Sequence, residues 1–215
     1  MGGSPRDATP ARIETEKNSI NTSGSRRRFL GSAVASLTAF LGWKSAGKDS
    51  TAGGFELRPP GALSEKDFLE ACVRCFRCAE ACPNDCIRFH GLGKGLRKAF
   101  TPFIEARERG CILCGECAKA CPSGALVPFQ ATRDGWLASV KMGTARVNKS
   151  MCYSYNGRTC GVCYRACPLA GQAMTIGVFE TPIVHPEACV GCGLCEQSCV
   201  HVPQAIRVIP EPSEA

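Results

Sequence analysis

A loop-rich α+β fold, made of two small tandem lobes around bound metal, is what the sequence predicts. Three observations point there. Seventeen cysteines stand among 215 residues. Sixteen of them fall into four runs with a shared internal spacing. Short stretches of strand-forming residues alternate with those runs, each long enough for only a few residues of strand.

The runs carry most of the information. The first is Cys72, Cys75, Cys78 and Cys82, followed by Pro83; the second is Cys111, Cys114, Cys117 and Cys121, followed by Pro122. Both read C-x2-C-x2-C-x3-C-P. The third is Cys152, Cys160, Cys163 and Cys167 with Pro168, its first gap lengthened by the stretch "YSYNGRT". The fourth is Cys189, Cys192, Cys195 and Cys199, with Val200 in place of proline. A disulfide scaffold spaces its cysteines irregularly, because bridging is decided in three dimensions; tight repeated groups favour metal. Three cysteines at C-x2-C-x2-C wrap a loop around one [4Fe-4S] cubane. In two-cluster ferredoxins the fourth, one helical turn on, ligates the other cluster. The proline disfavours helix at the preceding cysteine and directs the chain away. Zinc prefers two separated C-x2-C knuckles. Four runs therefore predict four [4Fe-4S] clusters on sixteen cysteine ligands, in ferredoxin-like lobes. Sequential pairing is preferred: Cys72, Cys75 and Cys78 with Cys121; Cys111, Cys114 and Cys117 with Cys82; Cys152, Cys160 and Cys163 with Cys199; Cys189, Cys192 and Cys195 with Cys167. Nesting, with run one on run four and run two on run three, stays open.

The repeat continues past the ligands. "PNDCI", "PSGAL", "PLAGQAM" and "VHVPQAI" each end in a small residue and an aliphatic one: Cys86-Ile87, Ala125-Leu126, Ala173-Met174 and Ala205-Ile206. Cys86, the seventeenth cysteine, stands where the others have alanine. It reads as a small buried residue, with a spare ligand or redox thiol as the sharper alternative. Strands are expected in "FTPFIEA", "TARVN" and "TPIVH", one before each later run. Ser64 with Asp67 resembles a capping box opening a helix. The lobes are placed at 63–130 and 145–210, with linkers at 47–62 and 131–144 and a tail at 211–215. Lobes of this size bury too little apolar surface to stand alone, so clusters are expected to replace much of the core.

Residues 1–46 read as a disordered N-terminus and a signal. "SRRRFLGSAVASLTAFLGW", Ser25 to Trp43, sets paired arginines before a short apolar run. The run is short for a membrane span, which needs about 20 residues. It suits twin-arginine export, which carries folded, metal-loaded proteins, so the twin-arginine translocase is an expected partner. No A-x-A cleavage site follows, leaving periplasmic release or an uncleaved membrane anchor. The net charge is +7. No basic stripe with interleaved aromatics appears, so nucleic acid is not an expected partner.

No catalytic residue suggests itself. His90, His185 and His201 are isolated from one another, and Tyr153, Tyr155 and Tyr164 around the third run read as packing. "GLGKGLRK", residues 91–98, lacks the strand and the G-K-[ST] of a phosphate loop and reads as solvated or docking loop.

"LRPPGALSEKDFLEACVRCFRCAEACP", the extended "C-x7-CGVCYRACP" and "PIVHPEACVGCGLCEQSC", behind a twin-arginine signal, resemble the NapG/MauM family of ferredoxin-type proteins. The resemblance covers about residues 25–210. It implies a periplasmic protein with four [4Fe-4S] clusters. In one branch the family supplies a quinol dehydrogenase component for periplasmic nitrate reduction, beside a polytopic membrane partner; a second branch serves methylamine utilisation. The nitrate branch usually has a longer spacing in its second run, and "CILCGECAKACP" does not, which leaves the branch open. The expectation is an electron-transfer component of an oxidoreductase, not a stand-alone catalyst. It would take electrons from a membrane-embedded quinol-oxidising protein and pass them to a periplasmic c-type cytochrome or oxidoreductase. The alternatives are a maturation factor for a periplasmic metalloenzyme and the electron-transfer subunit of another oxidoreductase.

Overall fold

A computed structural model describes residues 56–211. The expected signal, and the start of the first linker, lie outside the described residues. No helix among those described is long and apolar enough to cross a membrane.

Two halves repeat one plan. Each has an inner antiparallel hairpin, an outer pairing of its first and last segments, and two one-turn helices between them. In the first half the hairpin is β1 (Ile87–Phe89) with β2 (Pro102–Ile104), Ile87 opposite Ile104. The outer pairing is a single bridge, Ala62 with Leu126. In the second half the hairpin is β4 (Met174–Ile176) with β5 (Pro182–Val184). Here the outer pairing is a full ladder of β3 (Gly143–Val147) with β6 (Ile206–Pro210), Val147 opposite Ile206. The three expected strands are β2, β3 and β5.

The helices follow from local chemistry. α1 (Glu65–Ala71) starts at Ser64, whose hydroxyl oxygen accepts from the Asp67 amide and whose hydroxyl donates to the Asp67 carboxylate. It buries Phe68. The one-turn helices α2 (Arg77–Glu80), α3 (Glu116–Lys119), α5 (Val162–Arg165) and α6 (Leu194–Gln197) each carry the third cysteine of a run. All four are entered through a left-handed residue: Phe76, Gly115, Gly161 and Gly193.

The stretches assigned to linkers have more structure than that assignment implies. In the first, Leu57 and Arg58 are buried, and the Leu57 carbonyl accepts from the Ile104 amide at 2.7 Å. Arg58 holds the Glu65 carboxylate through Nε and Nη2 at 2.8 and 2.7 Å, and its Nη1 reaches Thr101 Oγ1 and the Pro102 carbonyl. The second contains α4 (Arg133–Ser139), capped by Thr132, and the buried Val140 and Met142. Trp136 on α4 donates its indole hydrogen to the Leu113 carbonyl. One buried apolar cluster runs through both halves, from Leu57 and Phe68 to Met174 and Val208. The described residues accordingly belong to one compact unit.

Candidate metal centres

The backbone of each run is bent by left-handed residues. In the first, Arg74 (φ 58°) and Phe76 (φ 64°) alternate with the cysteines; in the second, Leu113 (φ 60°) and Gly115 (φ 77°); in the fourth, Gly191 (φ 75°) and Gly193 (φ 82°). Such alternation turns successive side chains and amides to one concave side. A non-glycine residue pays roughly 1–2 kcal/mol for this conformation. Arg74, Phe76 and Leu113 hold it because the cysteines on either side are fixed.

The sixteen cysteines stand around four cavities, four to each. Cavity A is lined by Cys72, Cys75, Cys78 and Cys121 around about 350 Å³ of space, part of it open to solvent. Cavity B has Cys82, Cys111, Cys114 and Cys117, about 300 Å³. Cavity C has Cys167, Cys189, Cys192 and Cys195, about 360 Å³. Cavity D has Cys152, Cys160, Cys163 and Cys199, about 380 Å³. In every case three thiols come from one run and the fourth from its partner run. The grouping is sequential; nesting is not what the chain adopts. Among the described residues no three Cys, His, Asp or Glu side chains converge closely enough to share one metal ion. Four thiols spread around a space of similar size, four times over, suit a polynuclear cluster, not a single zinc. A second observation fits the same group. Ser154 lines cavity D at 2 % exposure, and its hydroxyl has no hydrogen-bond partner. A cluster sulfur would supply the missing acceptor.

Burial raises the thiols in the absence of metal: Cys78 and Cys163 to about 11, Cys117 and Cys192 to about 12, and Cys195 well above its ordinary value. They stay protonated near neutrality, so taking up iron as thiolates releases protons. Cys86 is buried at 3 % exposure and is a fifth sulfur in cavity B, 3.6 Å from the Cys82 sulfur. It is lowered to about 7, chiefly by the hydrogen bond from the Cys111 thiol, which that same bond pushes up. The positions matching Cys86, namely Ala125, Ala173 and Ala205, are equally buried.

The cavities are linked in series. Within each half, one helix pair separates two cavities: Cys78 and Cys117 sit on α2 and α3, and Cys163 and Cys195 on α5 and α6. Between the halves, the Cys111 amide donates to the Cys192 carbonyl at 2.6 Å, joining a cysteine of B to a cysteine of C. The Gly110 amide donates to Gln197 Oε1 at 2.9 Å beside it. The spatial order is A, B, C, D, which reverses the chain order of the third and fourth runs.

The other candidates are placed apart from this chemistry or on its rim. His90 is buried, stacked on Phe103 at 4.2 Å, and its Nε2 has no hydrogen-bond partner. His185 Nε2 pairs with Thr175 Oγ1 at 2.9 Å. His201 and Tyr153 pack together at 5.2 Å on the wall of cavity D. Residues 91–98 form the exposed tip between β1 and β2, with a 3-10 turn at Leu92–Lys94. The "YSYNGRT" insertion is fastened down. Asn156 Nδ2 donates to the carbonyls of Lys149, Ser150 and Cys152, Tyr155 donates to the Pro182 carbonyl, and Gly157 turns at φ 78°. Sequence reading missed Ser154, Ser123 and the Gly110–Gln197 junction. Nothing in the spacing marks them, although the glycine before Cys111 is a faint signal of close approach.

Comparison with known proteins agrees with this geometry. Residues 71–125 and 110–170 match the 4Fe-4S dicluster domain, and residues 186–199 match the 4Fe-4S binding domain. The chain is 41% identical over 213 residues to the methylamine utilization ferredoxin-type protein MauM of Methylorubrum extorquens, covering 94% of this chain and 90% of that one. It is 38% identical over 207 residues to the ferredoxin-type protein NapG of Escherichia coli, covering 86% and 85%. MauM of Methylobacillus flagellatus is 40% identical over 164 residues, covering 72% and 68%.

Proposed function

Because the chain belongs to the NapG/MauM family of ferredoxin-type iron–sulfur proteins, we propose that it is a four-cluster electron-transfer protein working in the periplasm. One observation carries the reading: four cavities of four thiols each, joined between the halves by the Cys111–Cys192 hydrogen bond. A [4Fe-4S] cluster supplies one-electron transfer between states of similar geometry. The chain's own residues do the rest. Sixteen thiolates hold iron, the apolar walls keep water away, and the Cys111–Cys192 contact brings B and C together. Exposed residues reach the rims of A, of B at Ile112, and of D, while none of the residues lining C is exposed. Cys75 is exposed at cavity A, and Val200 is exposed on the rim of cavity D. These are the places for a donor and an acceptor.

The twin arginines at Arg26 and Arg27 support export by the twin-arginine translocase. The family resemblance supplies the partners: a membrane-embedded quinol-oxidising protein on one side and a periplasmic c-type cytochrome or oxidoreductase on the other. Relatives named for methylamine utilization and relatives named NapG are alike at 41% and 38% identity, so the proposal covers both branches. Anaerobic iron and sulfide analysis, with an EPR redox titration, tests the cofactor content. About 16 iron per chain is expected at four per cluster; about eight would sink the proposal. Reduction of the purified protein by quinol-treated membranes carrying its partner tests the role. Clusters that stay oxidised there, in a protein that nevertheless binds an apo-metalloenzyme, would favour a maturation factor.

A further inference from the structure

The four cavities share their ligands but differ in the side-chain donors that face the sulfurs. In cavity A the Ser123 hydroxyl lies 3.7 Å from the Cys121 sulfur. In cavity B the Cys86 sulfur lies 3.6 Å from that of Cys82. Cys82 bound to iron as a thiolate has no proton to give, so the donor of that pair is Cys86. In cavity D the buried Ser154 hydroxyl has no acceptor in the protein. Leaving it unpaired would cost about 1–3 kcal/mol, and the sulfurs of Cys152, Cys160, Cys163 and Cys199 line the same cavity. The insertion that lengthens the third run holds Ser154 in its place through Tyr155 and Asn156.

Cavity C differs. Apart from its four cysteines, no side chain lining it carries a polar hydrogen; Leu169, Ala173, Met174, Val190 and Val208 make up most of the wall. Backbone donors do not single it out: amides of Leu113, Ala145 and Ala205 point at the sulfurs of Cys111 in B, Cys189 in C and Cys199 in D, all at 3.3–3.4 Å. Nor do nearby cations. Arg74 binds the Cys72 carbonyl at A, Lys141 the Cys189 carbonyl and Arg133 the Pro168 carbonyl at C, and Arg165 the Cys160 carbonyl at D. Arg88 stands beside Cys86 at B.

For clusters of one type with the same ligation, the reduction potential follows hydrogen bonds to the sulfurs, burial and nearby charge. A donor stabilises the added electron, and a wall without one does not. We infer that Ser123, Cys86 and Ser154 each raise the potential of the centre they face, and that the centre of cavity C is the lowest of the four. An electron crossing from C to B through the Cys111–Cys192 contact then moves to the higher-potential side. The inference rests on the four-cluster reading.

The test is an anaerobic EPR redox titration of the full holoprotein and its variants, with iron counted in each. Ala173→Ser puts a hydroxyl into cavity C at the repeat position where cavity B has Cys86. It is expected to move the lowest reduction step upward and leave the other three in place. Ser154→Ala is expected to move a different step downward, and Ser154→Thr to return it. If Ala173→Ser does not fold, Ala173→Cys is read by the same criterion. A shift at any step but the lowest in the Ala173 variant, or no shift, overturns the inference, as does a Ser154→Ala titration identical to wild type. A wild-type iron count near eight would instead remove the four-cluster reading itself.

Discussion

At the scale of single residues, cysteines with the same burial divide by their place in the repeat. Cys86 shares a cavity with four candidate ligands, yet it occupies the position that is alanine in the other three repeats. Its sulfur is therefore additional to the ligand set. Cys86→Ala should keep the wild-type iron content, whereas Cys114→Ser in the same cavity should lower it; iron analysis of the two variants decides. Buried His90 makes a different prediction. Burial chiefly lowers its proton affinity, opposed by Glu56 and reinforced by Arg58 and Lys98. The unfolded chain titrates at about 6.5. Below that pH it takes up a proton that the folded state refuses, so the stability present above this value is lost as the pH falls toward the lower folded pKa. His90→Phe keeps the stacking on Phe103 and should flatten the acid limb of denaturation midpoints as the pH falls below neutrality. A limb as steep as wild type would show that other groups set it. Arg58 is a third case, a buried cation paired with Glu65. Removing one partner of such a pair leaves the other uncompensated, so Arg58→Ala should cost about 3 kcal/mol in denaturant titration of the holoprotein.

At the scale of elements, the cysteine-bearing turns were legible and the contacts between them were not. The capped α1 follows from Ser64 and Asp67, and β2, β3 and β5 from their strand-forming residues. These signals are local, so sequence carries them. The packing of the Cys111 turn on α6 depends on Gly110. A Cβ there would lie 2.7 Å from the Leu194 nitrogen and 2.8 Å from the Gly193 carbonyl carbon, both backbone atoms that cannot swing aside. Gly110→Val should therefore push the halves apart at the B–C junction. Each half keeps its thiols, so iron content should persist while magnetic interaction between reduced centres across the junction weakens in the EPR spectrum. An unaltered interaction would place the route between halves elsewhere. The insertion at 153–159 behaves as an element too. Shortening it to two residues removes Ser154 along with the loop, so it should keep the iron but shift one potential and slow transfer to a partner at cavity D. Stopped-flow reduction compared with Ser154→Ala separates those two effects.

At the scale of the molecule, the described chain has one apolar cluster threaded between four cavities. Strands of three to five residues and one-turn helices order little chain by themselves. Much of each half is fixed only by where its thiols meet. Stripping the iron with a chelator under reducing conditions should abolish cooperative unfolding and the far-ultraviolet signal of the strands. A cooperative apo transition would show the apolar cluster to be sufficient.

Spacing along the chain marks the sixteen candidate ligands, because ligand spacing is a local property of a loop and one helical turn. The sequence by itself also determined the repeat, the buried small residue after each run, and the family. Only the tertiary structure decided that the runs pair in order, that cavity C meets cavity B through Cys111 and Cys192, and that three cavities have an added donor while one has none. Those features lie between segments far apart in the chain. They depend on which surfaces the folded halves bring together, and no spacing along one segment encodes that.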